Sequence, residues 1–432
     1  MKKLFLTLSI ASSLVLTGCL QSDDTPIIIE ETTITNNFTN DGDNDEAFET
    51  IVVSGGIALD ETWTSDNVYV LDRKVVVQEG VTLTIEAGTI IKGKAGTNSL
   101  SSALIVARGA KLNAVGTATA PIIFTSISDN IEPGQTAGTN LNESNRGLWG
   151  GIIMLGRASI SVSGDTGLAN IEGIPADDTF GLYGADLENG ESFIDDDNSG
   201  TLQYVSIRHG GALLGEGNEI NGLTLGGVGS GTTIDNVEVI ANVDDGIEFF
   251  GGTVNASNVL VWAQGDDALD IDQAYSGTIT NAVVALGEAS DHALEIDGPE
   301  GSLNGEFTIN DLTLIGNTTT ANGEYADFRS NAQGHVNNVY AYGFKDSSDV
   351  ELDNDGVATN YNNGLITLGT WEIVLPAGVT DVATIFANKA ENVTVTGFGS
   401  TATAVTQGSQ TVGATTSALS WTYANTAGGF GF

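Results

Sequence analysis

Short bursts of alternating apolar and polar residues run through most of this chain, each closed by Gly, Asn or Asp, and the clearest burst returns five times between 232 and 356. It reads Asp244-Asp245-Gly246-Ile247-Glu248-Phe249, then Asp266-Asp267-Ala268-Leu269-Asp270-Ile271, then Asp291-His292-Ala293-Leu294-Glu295-Ile296. Looser copies follow at Tyr325-Ala326-Asp327-Phe328 and Asp349-Val350-Glu351-Leu352. A period of two is that of a strand with one face buried, so Ile247 and Phe249 are expected to point inward and Glu248 outward. The acidic position recurs at 248, 270, 295, 327 and 351, in steps of 22, 25, 32 and 24 residues. Steps of that size mark stacked repeats. One such coil cannot bury its apolar side alone, but coils stacked about 4.8 Å apart share a continuous core. The expected fold is all-β, a single-stranded parallel solenoid in which Ile247, Leu269 and Leu294 share one buried column.

A second strand precedes each copy and starts at Asn236, Asn258, Asn281, Asp311 or Asn338. Asn tolerates left-handed backbone at a tight bend, and stacked amides bond one another along the axis, so this column is read as structural. Elsewhere the period weakens. Residues 51–365 are expected to form the solenoid, interrupted by a Gly- and Asp-rich insertion near 163–200 that loops out beside it. Long insertions in repeat proteins lie on one face and often carry function. Residues 366–432 lose the period and are read as a cap over the open end, where strand edges and core would otherwise be exposed.

Composition agrees with this picture: Gly 56 against Pro 6 and 7% aromatic residues suit short strands with many turns. Charge narrows the partners. With 14 basic against 56 acidic residues, a formal net charge of −42, the chain carries the wrong field for phosphate backbones, which excludes nucleic acid and favours solubility, high salt tolerance or bound divalent cations. The five tryptophans, 63, 149, 262, 371 and 421, are scattered and are assigned to core or cap packing rather than to sugar stacking.

The start of the chain resembles a bacterial lipoprotein signal. Lys2 and Lys3 precede an apolar run from Leu4 to Leu16 that is too short to span a membrane, and Leu16-Thr17-Gly18-Cys19 matches the lipobox. Residues 1–19 are thus expected to be a signal whose Cys19, the single cysteine, is acylated. Leu20 rather than Asp follows, so the usual residue for inner-membrane retention is missing, and Gln21-Ser22-Asp23-Asp24 resembles an acidic export tag. This implies an outer-membrane, lipid-anchored, surface-exposed protein. Residues 20–50 are polar and acidic and are read as a disordered tether.

Gly80-Val81-Thr82-Leu83-Thr84-Ile85-Glu86-Ala87-Gly88-Thr89, with Arg108 to Leu112 and Pro121 to Ser126, resembles the opening coils of right-handed parallel β-helix surface proteins. Together with Asn221 to Val254 it is similar to a family of bacterial β-helix surface lipoproteins. The resemblance covers about 50 to 365 and implies a pectate-lyase-like, right-handed solenoid rather than an activity.

Three sets of residues carry candidate chemistry. Asp195-Asp196-Asp197-Asn198-Ser199-Gly200 resembles the first half of an EF-hand loop, which would make Asp195, Asp197 and Ser199 calcium ligands, although Ser206 stands where the bidentate Glu belongs. Glu248, Asp270 and Glu295 form a second candidate calcium set on the outer face. Asp244, Asp266, Asp267 and His292 resemble the Asp, Asp pair and His of polygalacturonases, where two carboxylates serve as acid and base, but no Arg-x-Lys motif follows. For a lyase, Arg208 or Arg329 would be the base. The leading functional expectation is non-catalytic binding or adhesion at the cell surface, with calcium-dependent binding of a polysaccharide, or binding of a surface protein. A polysaccharide-active hydrolase or lyase and a passive spacer are the alternatives.

Overall fold

A computed structural model describes residues 35–37 and 48–432, apart from 98–99, 176–177, 216–217 and 321. Cys19, the signal and most of the expected tether lie outside the described residues. The chain winds into a parallel β-helix whose strands join one 26-stranded sheet system with three faces. The acidic repeat forms one face. Ile247–Phe250 pairs in parallel with Leu269–Asp272, which pairs with Leu294–Ile296, then Ala326–Phe328, then Val350–Leu352. The register sets Glu248 against Asp270, Asp270 against Glu295, Glu295 against Asp327 and Asp327 against Glu351. Ile247, Leu269 and Leu294, all fully buried, stack in the core one residue away.

The other two faces share long strands that bend. Thr233–Ile240, Asn255–Trp262, Thr278–Ala285, Phe307–Ile315 and Gly334–Tyr342 each change direction at one residue. That residue is Asn236, Asn258, Asn281, Asp311 or Asn338, all at positive φ between 52° and 59°. A short side chain that bonds locally lowers the cost of this left-handed conformation. Asn281 Nδ2 donates to Asn258 Oδ1 at 2.6 Å, and Asn338 Nδ2 to Asp311 Oδ1 at 2.9 Å. In the coil below, Tyr204 holds the same bend at φ 50°.

Beside the acidic face, the insertion packs as a small layer. Leu168–Asn170 and Leu182–Gly184 pair antiparallel, and Ile160, Val162, Ile171, Ile174 and Tyr183 form an outer cluster with Ile105, Ile153, Leu155, Ile220 and Phe250. These outward-facing apolar residues of the lower coils are what recruits it, since uncovered they would leave a large apolar patch.

Two ends depart from expectation. Thr35–Asn37 pairs antiparallel with Glu49–Ile57, so part of the stretch read as a disordered tether is strand, extending the open edge of the first coil. Residues 366–404 continue the coils through Ile366–Leu368, Trp371–Ile373, Phe386–Asn388 and Ala402–Ala404. Leu375, Val379, Val382, Val395 and Phe398 cover the end of the core. Residues 405–432 then turn back along the side as a strap. Leu419 and Ala424 are buried on Ile240, Leu260, Trp262, Val283 and Ala285, with Phe430 against Trp262. Trp63, Trp149 and Trp371 lie in the main core.

Candidate functional site

Outward alternation does not leave the acidic column in water. Glu248, Asp270, Asp327 and Glu351 alternate outward from the core, yet each is at least nine-tenths buried. At the lower end of the column the insertion crowds Glu248 from the side, where Asn221 donates to both Glu172 of the insertion and Glu248. Two like charges about 5 Å apart cost about 0.8 kcal/mol in water but about 3 kcal/mol at an effective dielectric of 20. A fully ionised, uncompensated column is therefore unstable where it is buried.

The lowest part is the most concentrated. One carboxylate oxygen each from Asp245, Glu248 and Asp270 lies within 4.8 Å of the others. Burial, followed by the charges of their neighbours, raises all three well above the ordinary carboxylate range. Asp270 Oδ1 is buried and accepts no hydrogen bond. Asp272, two residues on, is pushed up to about 7 by burial despite the hydrogen bond it accepts from the Gln273 N–H.

Flanking the column, a second ladder runs through the turns. Asn221 Oδ1 accepts the Asp245 N–H at 3.2 Å, Asp245 Oδ1 the Asp267 N–H at 2.9 Å, and Asp267 Oδ1 the His292 N–H at 2.7 Å. Each side chain thus satisfies the backbone of the next coil, a structural task that sequence reasoning missed; the recurrence of Asp at the second position of the first two phrases, 245 and 267, was its signal. Asp267 Oδ1 also lies 2.8 Å from His292 Nδ1. Burial works against charge on His292, but the hydrogen bond and charge of Asp267, with Asp291 and Asp327, outweigh it and raise the ring to about 9. Asp266, the exposed member, has an oxygen within 4.8 Å of Asp244 and Asp245, and burial with the charges of Asp267 and Asp291 pushes it up to about 6. The four residues proposed from the polygalacturonase likeness are thus neighbours.

Higher up, two bases enter the stripe. Arg329 pairs with Glu295 and, at 2.9 Å, with Asp297; Lys389 pairs with Glu351 and, at 3.5 Å, with Asp349. Arg329 is thus committed to two carboxylates. Arg208 lies away from the stripe, buried beside Glu238.

Asp195, Asp197 and Ser199, the EF-hand-like candidates, hydrogen-bond to the 155–159 segment. Asp195 Oδ1 accepts the N–H and hydroxyl of Ser159, Asp197 Oδ2 accepts the Arg157 N–H, and buried Ser199 donates from Oγ to the Leu155 carbonyl. Each side chain thus helps to pin the insertion to the lower coils.

A family model described as a pectate-lyase-like beta helix domain matches residues 55–426. No curated protein and no solved structure matches the chain.

Proposed function

The chain belongs to the pectate-lyase-like β-helix domain family, and we propose that it uses this scaffold for calcium-dependent, non-catalytic binding of polysaccharide at the cell surface. The observation that carries the reading is Asp270: its Oδ1 is buried without a partner, against Glu248 and Asp245, in a trio with no basic side chain among its ligand groups. A buried orphan oxygen costs about 1–3 kcal/mol, more when charged, and a hard cation with oxygen ligands removes that cost. Asp245, Glu248 and Asp270 would hold the calcium. Above it, the partly open stripe through Glu295, Asp297 and Arg329 follows the helix axis at about 4.8 Å per coil, a surface suited to an extended polymer.

Display at the surface rests on the lipobox, with Cys19 as the acylated residue and the outer membrane as the address. The test is retention of neutral and acidic polysaccharides on the immobilised full-length chain, with calcium and with chelator, repeated on Asp270→Asn. Retention that needs calcium and is weakened by the substitution supports the reading. Equal retention under all conditions overturns it.

A hydrolytic reading has one observation in its favour, the proximity of Asp266, held at about 6, to Asp244. An acid poised near neutral beside a second carboxylate is the arrangement of glycosidases. Release of reducing ends that is lost in Asp266→Asn would select it.

A further inference from the structure

One coil above the oxygen trio lies a cluster of different chemistry. A ring nitrogen of His292 and one carboxylate oxygen each from Asp267 and Glu295 lie within 4.8 Å of one another. Asp267, His292 and Glu295 belong to two successive coils and share no ligand with the Asp245–Glu248–Asp270 trio.

A second observation points to a bound cation. In register, Glu295 stands between Asp270 below and Asp327 above. Asp327 is more than nine-tenths buried and keeps an Oδ1 with no hydrogen-bond partner. It also acts electrostatically on His292. Arg329 takes up part of the local charge through Glu295 and Asp297, yet it does not satisfy the Asp327 oxygen.

We propose that Asp267, His292 and Glu295 bind a transition-metal dication of the Zn²⁺ class, with the buried carboxylate of Asp327 closing the site from the coil above. Imidazole with carboxylates suits Zn²⁺, whereas calcium and magnesium prefer all-oxygen sets. Binding requires a neutral imidazole, so any proton on the His292 ring leaves to solvent as the metal enters.

The chain has three histidines. His209 is buried with Nδ1 2.7 Å from the Asn145 carbonyl, and His335 lies between Thr367 and Glu306 on another face, so His292 can be followed alone. The experiment is a Zn²⁺ titration of the full-length chain read by ¹⁵N imidazole resonances, with Co²⁺ absorption as a second readout. The expected result is saturation of one site and a shift of the His292 nitrogens, alone among the three histidines, to metal-bound values. His292→Gln should weaken Zn²⁺ by more than the roughly 10- to 100-fold that an outer-shell loss costs, with its melting curve confirming the fold. His292 nitrogens unmoved at saturating Zn²⁺, or all three histidines shifting together, overturns the proposal. The wild-type resonances decide the matter even where the variant fails to fold. Glu248→Gln separates this site from the calcium reading: it should abolish the calcium response and leave the His292 shift intact.

Discussion

Glu238 and Tyr423 stand 185 positions apart, yet the Glu238 carboxylate accepts the Tyr423 backbone N–H at 2.9 Å and the Ala424 N–H at 3.1 Å. Glu238 is fully buried, its partner Arg208 is 3.6 Å away and nearly as buried, and the Tyr423 ring lies 4.4 Å from the guanidinium carbon. A carboxylate in mid-strand of the solenoid therefore caps the first turn of the Tyr423–Gly428 helix, where its charge favours the exposed N–H groups.

Removing one member of this buried pair leaves the other uncompensated. Glu238→Ala should destabilise the protein by about 3–5 kcal/mol, whereas Arg208→Met combined with Glu238→Leu should cost markedly less. Chemical denaturation of the two variants makes the comparison. A double variant as damaged as the single would show that packing of the strap, not charge, sets the energy.

The inward and outward faces of the acidic repeat should respond oppositely. Leu269→Asp places a charge in the core and should cost about 3 kcal/mol or more. Glu248→Gln, measured in chelator, relieves repulsion within the Asp245–Glu248–Asp270 trio and should leave stability unchanged or raise it. Loss of stability in chelator comparable to that of Leu269→Asp would show that the trio holds its own without a cation.

Stability in chelator should fall as pH rises. Burial raises Asp266 and Asp327 to about 6 and Asp272 and Glu324 to about 7. The folded state thus binds protons that the unfolded chain, with carboxyl values near 4, has already lost. Their contribution is complete below about pH 4 and fades as pH climbs through 6 and 7. His292 adds the same sign, fading as pH passes about 9. Calcium should therefore raise the melting midpoint more at pH 8 than at pH 5. Sodium chloride at matched ionic strength giving the same rise would assign the effect to screening instead.

The anchor has its own check. Cys19→Ser should release the protein from the membrane fraction or leave its signal uncleaved, and mass spectrometry of the wild type should find acyl chains on Cys19. A wild-type amino terminus without acyl mass would remove the anchor from the proposal.

Much of the scaffold was legible because repetition writes register into the sequence. The steps from 248 to 351 align the same residues that the strands pair, and the Asn column falls at the left-handed bends. The depth to which that acidic column is buried was not legible. Period two separates inward from outward but says nothing of a neighbouring layer, and Glu172 meets Asn221 from a segment with no periodicity. The strap was hidden for the same reason: its partners, Thr313, Asn281 and Glu238, lie 101 to 186 residues away. At residues 195–199 the spacing alone does not separate two tasks, since Asp and Ser at alternate positions serve backbone capping as readily as ion binding.

The strap also changes how the molecule would bear force. Coils that touch only their neighbours peel one by one under an axial pull, each yielding at the strength of a single interface. Here the returning chain touches Glu372, Thr313, Asn281, Glu238 and finally the Leu141 carbonyl, crossing the intervening coils along the direction of load. Tension between the two ends is thereby shared with a longitudinal splice whose contacts are loaded together in shear. Extension should begin with one large rupture rather than a train of small ones.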